Sequence, residues 1–74
     1  MSRIYTKKYR QFLQKLRGAR LDAKLTQTQV GRKLRQNQNY VSKCELGERR
    51  VDFVELAEFA KLYKKPLTYF QDWQ

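Results

Sequence analysis

Residues 25–47 read LTQTQVGRKLRQNQNYVSKCELG, and the pattern of this stretch decides the fold. Six of its residues are glutamine or asparagine, set between short apolar positions, and its only acid is Glu45. Thr26 followed by Gln29 has the form of a capping box, in which the threonine hydroxyl accepts from the third helical amide and the glutamine reaches back. A helix therefore starts after Thr26, with Val30 and Leu34 on one side. Gly31 between them is a poor helix former, at a cost of about 1 kcal/mol relative to alanine, but it lets a neighbouring segment approach closely. Arg35, Gln36 and Asn37 form a break, and Asn37 is a good cap for a further helix over 38–46. There Val41 and Cys44 face inward, and Gly47 supplies the left-handed residue that commonly ends a helix. Two helices of about two turns, joined by about three residues and sharing an inward set of Val30, Leu34, Val41 and Cys44, have the spacing of a helix-turn-helix.

Upstream, residues 7–22 place Tyr9, Phe12, Leu13, Leu16 and Ala19 on one side of a helix, with Lys8, Lys15, Arg17 and Arg20 on much of the rest. Downstream, Asp52 with Glu55 repeats the capping arrangement ahead of a helix carrying Phe53, Leu56, Phe59, Ala60 and Tyr63 at helical spacings. Pro66 suits the first turn of a last short helix that displays Leu67, Tyr69, Phe70 and Trp73. With no strand pattern and no repeat, the reading is an all-α, five-helix domain over residues 7–74, preceded by a short arm over 1–6. Helices this short depend on packing against one another.

The bulk composition agrees with one small domain. A chain of 74 residues that is 41% hydrophobic and 14% aromatic can bury roughly 60% of its unfolded surface. Lys+Arg 17 against Asp+Glu 7 gives +10 at pH 7, which favours polyanionic partners. The distribution is uneven: residues 1–35 hold eleven basic residues and one acid, whereas residues 36–74 hold six of each sign. One cysteine and no histidine leave no internal disulfide and no usual zinc pattern. No paired acids, nucleophile–base pair or phosphate-cradling glycine loop points to an enzyme, and no cofactor or metal is expected. Glu45, the lone acid of the central stretch, is expected to pair with Arg49 or Arg50 or to cap a helix. No apolar run approaches the roughly 20 residues of a membrane span, and the N-terminus lacks a secretory apolar segment, so a cytoplasmic protein without a membrane partner is expected.

The amides acquire a use from their positions. With Val41 and Cys44 inward, Gln38, Asn39, Ser42 and Lys43 occupy the outer or N-terminal side of the second motif helix, the member that enters the DNA major groove in this arrangement. A carboxamide offers one donor and one acceptor in a plane, matching adenine N6 and N7, and lysine donates to guanine O6 and N7. Gln27, at the start of the first motif helix, is placed to donate to a phosphate beside the helix amides. Lys15, Arg17, Arg20, Arg32 and Arg35 are candidates for further phosphate contacts. About six such contacts predict a salt slope near −5, through release of condensed counterions.

FLQKLRGARLDAKLTQTQV, NYVSKCELGERRVDFVELAEFAKLY and KPLTYF, which together span most of residues 12–70, resemble the lambda-repressor-like, Cro/C1-type (XRE) family of transcription regulators. The resemblance implies sequence-specific binding of double-stranded DNA, with Gln27 on phosphate and Gln38, Asn39 and Lys43 at base-reading positions. Ser42 falls at a position that contacts bases or backbone, whereas the family assigns Tyr40 no role and the expectation that it lies over sugar-phosphate or a thymine methyl comes from its place on the helix alone. The resemblance also implies a homodimer on a palindromic operator, joined through the last helical region by Leu67, Tyr69, Phe70 and Trp73, and acting as a repressor or autoregulator. Three positions depart from the family pattern: Arg35 stands where a glycine is common, Gly31 where alanine is common, and Cys44 where a bulkier residue is common. The aromatic C-terminal region supports an alternative, a protein-interaction adaptor or an antitoxin that binds a toxin or other protein partner.

Overall fold

The computed structural model describes residues 6–71. They form five helices, α1 (Lys7–Asp22), α2 (Gln27–Lys33), α3 (Gln38–Leu46), α4 (Phe53–Tyr63) and α5 (Leu67–Phe70), with no strand among the described residues. Arm residues 1–5 and Trp73 lie outside them.

Side-chain caps fix four helix starts. Thr6 Oγ1 accepts from Tyr9 N at 3.0 Å, and Asn37 Oδ1 accepts from Tyr40 N at 3.1 Å. Thr26–Gln29 and Asp52–Glu55 are both complete capping boxes, with the third residue's side chain accepting from the cap's own amide at 2.8 Å and 3.0 Å respectively. Each box satisfies two amides that the helix itself leaves without partners.

The ends of α1 to α4 share a second device. Leu25 N donates to Arg20 O, Gln36 N to Gly31 O, Glu48 N to Lys43 O and Lys65 N to Ala60 O, the long bond of the Schellman motif. Each motif requires a left-handed residue, and those residues are Lys24, Arg35, Gly47 and Lys64. Only one is glycine. A side chain in this conformation costs on the order of 1 kcal/mol, which a cation at the negative end of the helix dipole partly offsets.

The core joins Phe12, Leu16 and Ala19 of α1 to Val30 of α2, Val41 and Cys44 of α3, Phe59, Ala60 and Tyr63 of α4 and Phe70 of α5. Among the helix pairs, α2 packs most extensively against α3. Gly31 sets that approach: a Cβ there would lie 2.8 Å from Gln36 O and 3.1 Å from Asn37 C, too near for any side chain. The carbonyl of Gly31 also holds the turn by accepting from Gln36 N at 2.8 Å.

Two expectations are corrected. Arg20 belongs to the interior, at 7% exposure, and not to the wet face of α1. Leu16, Ala19 and Ala23 all pack inward, and Arg20, four residues after Leu16, shares their side of the helix. Phe53 shares the helical spacing of Leu56, Phe59, Ala60 and Tyr63 but not their burial, being 71% exposed at the first position of α4. Phe70 is 1% exposed and closes the core against Phe12, so it cannot present a surface to a partner.

Candidate nucleic-acid interface

Helix α3 turns about 100° per residue, so with Val41 and Cys44 buried, Gln38, Ser42, Asn39 and Lys43 fall in an arc of about 140° on the opposite side. Gln38, Asn39 and Lys43 are exposed and Ser42 is half-buried. No acid lies in this arc. Glu45, the one acid of α3, lies about 20° beyond the Gln38 edge of the arc, where it is committed to Arg20 and Gln27.

Glu45 anchors a polar chain that runs from the interior to this face. Arg20 donates through Nε to Glu45 Oε2 at 2.7 Å and through Nη2 to Oε1 at 3.1 Å, and its Nη1 donates to Leu25 O at 2.9 Å. The side chains of the pair are only 9% and 4% exposed. The hydrogen bonds to Glu45 raise the Arg20 pKa further, against the opposing effect of burial, so the guanidinium is firmly charged. Gln27 Nε2 then donates to Glu45 Oε1 at 3.0 Å, and Gln38 Nε2 donates to Gln27 Oε1 at 3.1 Å.

Each link fixes the next. Glu45 accepts from the Gln27 amide nitrogen, which turns the Gln27 oxygen toward Gln38. That oxygen then takes one Gln38 N–H, so the Gln38 carbonyl oxygen and second N–H remain as a planar acceptor–donor pair facing outward. Gln27 likewise keeps one N–H for an external acceptor.

The cationic candidates separate by environment. Arg17, Arg32 and Arg35 are exposed, and Arg35 has the left-handed conformation, with φ 59°, at the turn between α2 and α3. Lys15 Nζ lies 4.8 Å over the Tyr69 ring, which places it toward α5. Arg20 is corrected as a phosphate candidate, because its guanidinium is enclosed and committed to Glu45 and Leu25.

Tyr40 also turns inward in part. Its ring stacks on Phe59 at 6.1 Å, Arg49 covers it at 5.0 Å, and burial foremost, with Glu55 among the lesser causes, raises its pKa. Its ring is therefore shared with the core and is not free to lie along a DNA strand. Arg49 pairs with Glu55 at 2.7 Å and not with Glu45, while Arg50 stacks over Tyr9 at 4.7 Å. Both expected partners of Glu45 are thus engaged elsewhere. The signal for Arg20 was its helical phase behind Leu16; composition, which favours exposed arginine, hid it.

The α5 residues do not form a free aromatic patch. Phe70 is buried, Leu67 is half-buried, and Tyr69 is half-buried with Lys15 on its ring at 4.8 Å and Lys65 at 4.7 Å. Among the described residues there is no group of acids, cysteines or histidines able to hold a metal ion, and no helix long and apolar enough to cross a membrane.

Residues 11–67 match the family model described as a helix-turn-helix domain. No curated protein matches the chain.

Proposed function

The chain belongs to the helix-turn-helix domain family, and from that premise we propose that it binds double-stranded DNA sequence-specifically, with α3 in the major groove. The observation that carries this reading is the outward arc of Gln38, Asn39, Ser42 and Lys43, free of acid, with Gln38 oriented through Gln27 and Glu45. Gln38 and Asn39 read adenine edges, Lys43 reads guanine, and Ser42 adds a hydroxyl at the rim of the groove. Gln27, Arg17, Arg32 and Arg35 hold phosphates on either side, which sets register without selecting sequence. The N-terminal concentration of positive charge draws the protein to the duplex.

The role is that of a Cro/C1-type transcription regulator, a repressor or autoregulator that acts in the cytoplasm by occupying operator DNA. A homodimer on a palindrome places two copies of α3 one helical turn apart, about 34 Å. Lys15 contributes a peripheral phosphate contact only, given its position over Tyr69.

Selection of bound sequences from random duplex DNA, followed by titration of the winner and a scrambled duplex at several salt concentrations, tests the proposal. A recovered inverted repeat and a salt slope of roughly −0.9 per phosphate contact are expected. Equal affinity for the selected and scrambled duplexes removes the claim of sequence-specific reading.

A further inference from the structure

Helices α2 and α4 do not pack on each other among the described residues. Between Leu34, at the end of α2, and Leu62, near the end of α4, lies an open groove of about 520 Å³. It continues toward the end of α1 into a second groove of about 550 Å³, because Lys33, Leu62 and Lys64 line both. One trough therefore runs among the C-terminal ends of α1, α2 and α4. Ala23, Leu25, Leu34 and Leu62, all half-buried at the edge of the core, give it apolar surface.

Cations surround that surface. Lys33, Arg35, Lys61, Lys64 and Lys65 line the trough, and Lys24 stands between Ala23 and Leu25. Lys65 pairs with Asp22 at 3.2 Å, whereas Lys33, Arg35, Lys61 and Lys64 form no ion pair among the described residues. Lys24, Arg35 and Lys64 are also the left-handed residues that end α1, α2 and α4, positions where glycine would serve without strain. Helix dipoles account for part of this charge, since three helix ends carry about −0.5 each. Six cations against the two lining acids, Asp22 and Glu58, leave +4. An excess of about two positive charges therefore remains for a partner.

The lining selects among polyanions. A nucleic-acid strand laid along the trough would bring phosphates against Asp22 in one groove and Glu58 in the other. It would also find no ring on which to stack a base, since Tyr63, the aromatic residue of the lining, is 3% exposed. A second copy of this chain carries +10 and is repelled. A polypeptide segment with acids along its edges and apolar side chains beneath meets both features, as an amphipathic segment laid in a groove does. Its apolar residues cover Leu34 and Leu62 while its carboxylates reach Lys33, Lys61 and Lys64.

We propose that this trough docks an acidic, amphipathic segment of a partner protein, with Lys33 and Lys64, the cations common to both grooves, as its central anchors. The lining contains none of Gln27, Gln38, Asn39, Ser42 and Lys43. DNA and the segment are therefore held at the same time, and the protein joins a duplex to an acidic partner. Arg35, three residues before Gln38, stands where the two surfaces meet. The docking surface goes beyond operator binding and does not depend on it.

Selection of random linear peptides displayed on phage against the full chain, followed by anisotropy titration of the most enriched peptide, tests this. Enriched sequences are expected to combine Asp or Glu with Leu, Ile or Phe. Lys33→Ala/Lys64→Gly should weaken the peptide by about tenfold or more. Glycine suits the left-handed position, so thermal melts of that variant should show no loss of stability. Arg17→Ala/Arg32→Ala removes the same charge elsewhere and should change peptide affinity by less than about twofold, while weakening duplex DNA more than Lys33→Ala/Lys64→Gly does. A saturating duplex should leave the peptide bound. Enriched peptides without acids, a peptide insensitive to Lys33→Ala/Lys64→Gly, or equal loss in the two double variants overturns the inference. A duplex that displaces the peptide assigns the trough to nucleic acid and overturns it as well. Peptide held through Lys33 and Lys64 by a protein that selects no DNA sequence keeps the docking surface and removes the operator reading instead.

Discussion

Gln38, the first residue of α3, donates to the side-chain oxygen of Gln27, the first residue of α2, at 3.1 Å, so both helix starts share one carboxamide pair. Gln27 is held in turn by Glu45, which is held by Arg20. The side chain that would read a base is therefore tied to a buried arginine three side chains further in. On the proposed reading, this separates residues that would touch DNA from residues that would aim them.

A double-mutant cycle measures that coupling. Gln38→Ala should lower discrimination between preferred and substituted duplexes by roughly 1–3 kcal/mol, the worth of a bidentate base contact. Gln27→Ala should weaken binding to every duplex and also lose part of the discrimination, because Gln38 is released. The two effects should then be non-additive. Additive losses, with Gln27→Ala acting equally on all sequences, would show that the Gln27–Gln38 bond plays no part in reading.

Arg20 and Glu45 predict a stability effect in place of a binding one. Removing either partner leaves a buried charge without its counterpart, so Arg20→Met or Glu45→Met alone should cost about 3–5 kcal/mol in urea unfolding. The double Met variant should recover most of that loss, because no charge is then stranded. In the double variant, affinity for all duplexes should fall modestly through Gln27 while the salt slope stays unchanged, since Arg20 releases no phosphate counterion. A slope reduced by about one would return Arg20 to the phosphate contacts.

The helix boundaries were legible in the sequence because they are set by local chemistry. Thr26–Gln29, Asn37, Gly47 and Asp52–Glu55 each act within four residues of themselves, so their signals survive without knowledge of the fold. The outward arc of α3 was legible for the same reason, through the inward phase of Val41 and Cys44. Partner choice was not. Glu45 lies four or five residues from Arg49 and Arg50 but 25 from Arg20, and only the crossing of α1 with α3 brings that distant partner into reach. Phe53 keeps the helical spacing and is still exposed, because periodicity assigns a side, whereas at the first turn of a helix that side can lie beyond the edge of the core. Lys24 and Lys64 gave no sign of their left-handed conformation, since lysine carries none of the preference that marks Gly47.

Two substitutions around the turn should act in opposite directions. Gly31→Ala gains intrinsic helix propensity but drives a methyl to 2.8 Å from the Gln36 carbonyl oxygen, and backbone there cannot yield cheaply. A net loss of about 1–3 kcal/mol is expected. Arg35→Gly relieves a left-handed side chain at φ 59° and should stabilise by up to about 1 kcal/mol, while weakening DNA binding by removing one cation. Thermal melts of the two variants against wild type check both signs.

Tyr63 carries the last prediction, through its hydroxyl. The residue is 3% exposed, and among the described residues that hydroxyl meets no hydrogen-bond partner. Burial, the foremost cause, raises its pKa above the ordinary 10.0, and burial acts likewise on Tyr40, and on Cys44 from 9.0. A neutral group whose folded pKa is raised binds its proton more tightly in the folded state. Its contribution is thus complete below the unfolded value and falls as pH rises from about 9 or 10 toward the folded value. Tyr63→Phe removes one of these groups together with a buried, unpartnered hydroxyl. At neutral pH the variant should be more stable by about 1 kcal/mol. Above about pH 10 the difference should widen by up to roughly 1.4 kcal/mol per pH unit, because the unfolded wild type alone gains the Tyr63 phenolate. Urea titrations of both proteins at neutral pH and near pH 11 supply the comparison; a gap that stays constant would mean that Tyr63 ionises as readily in the fold as in the unfolded chain.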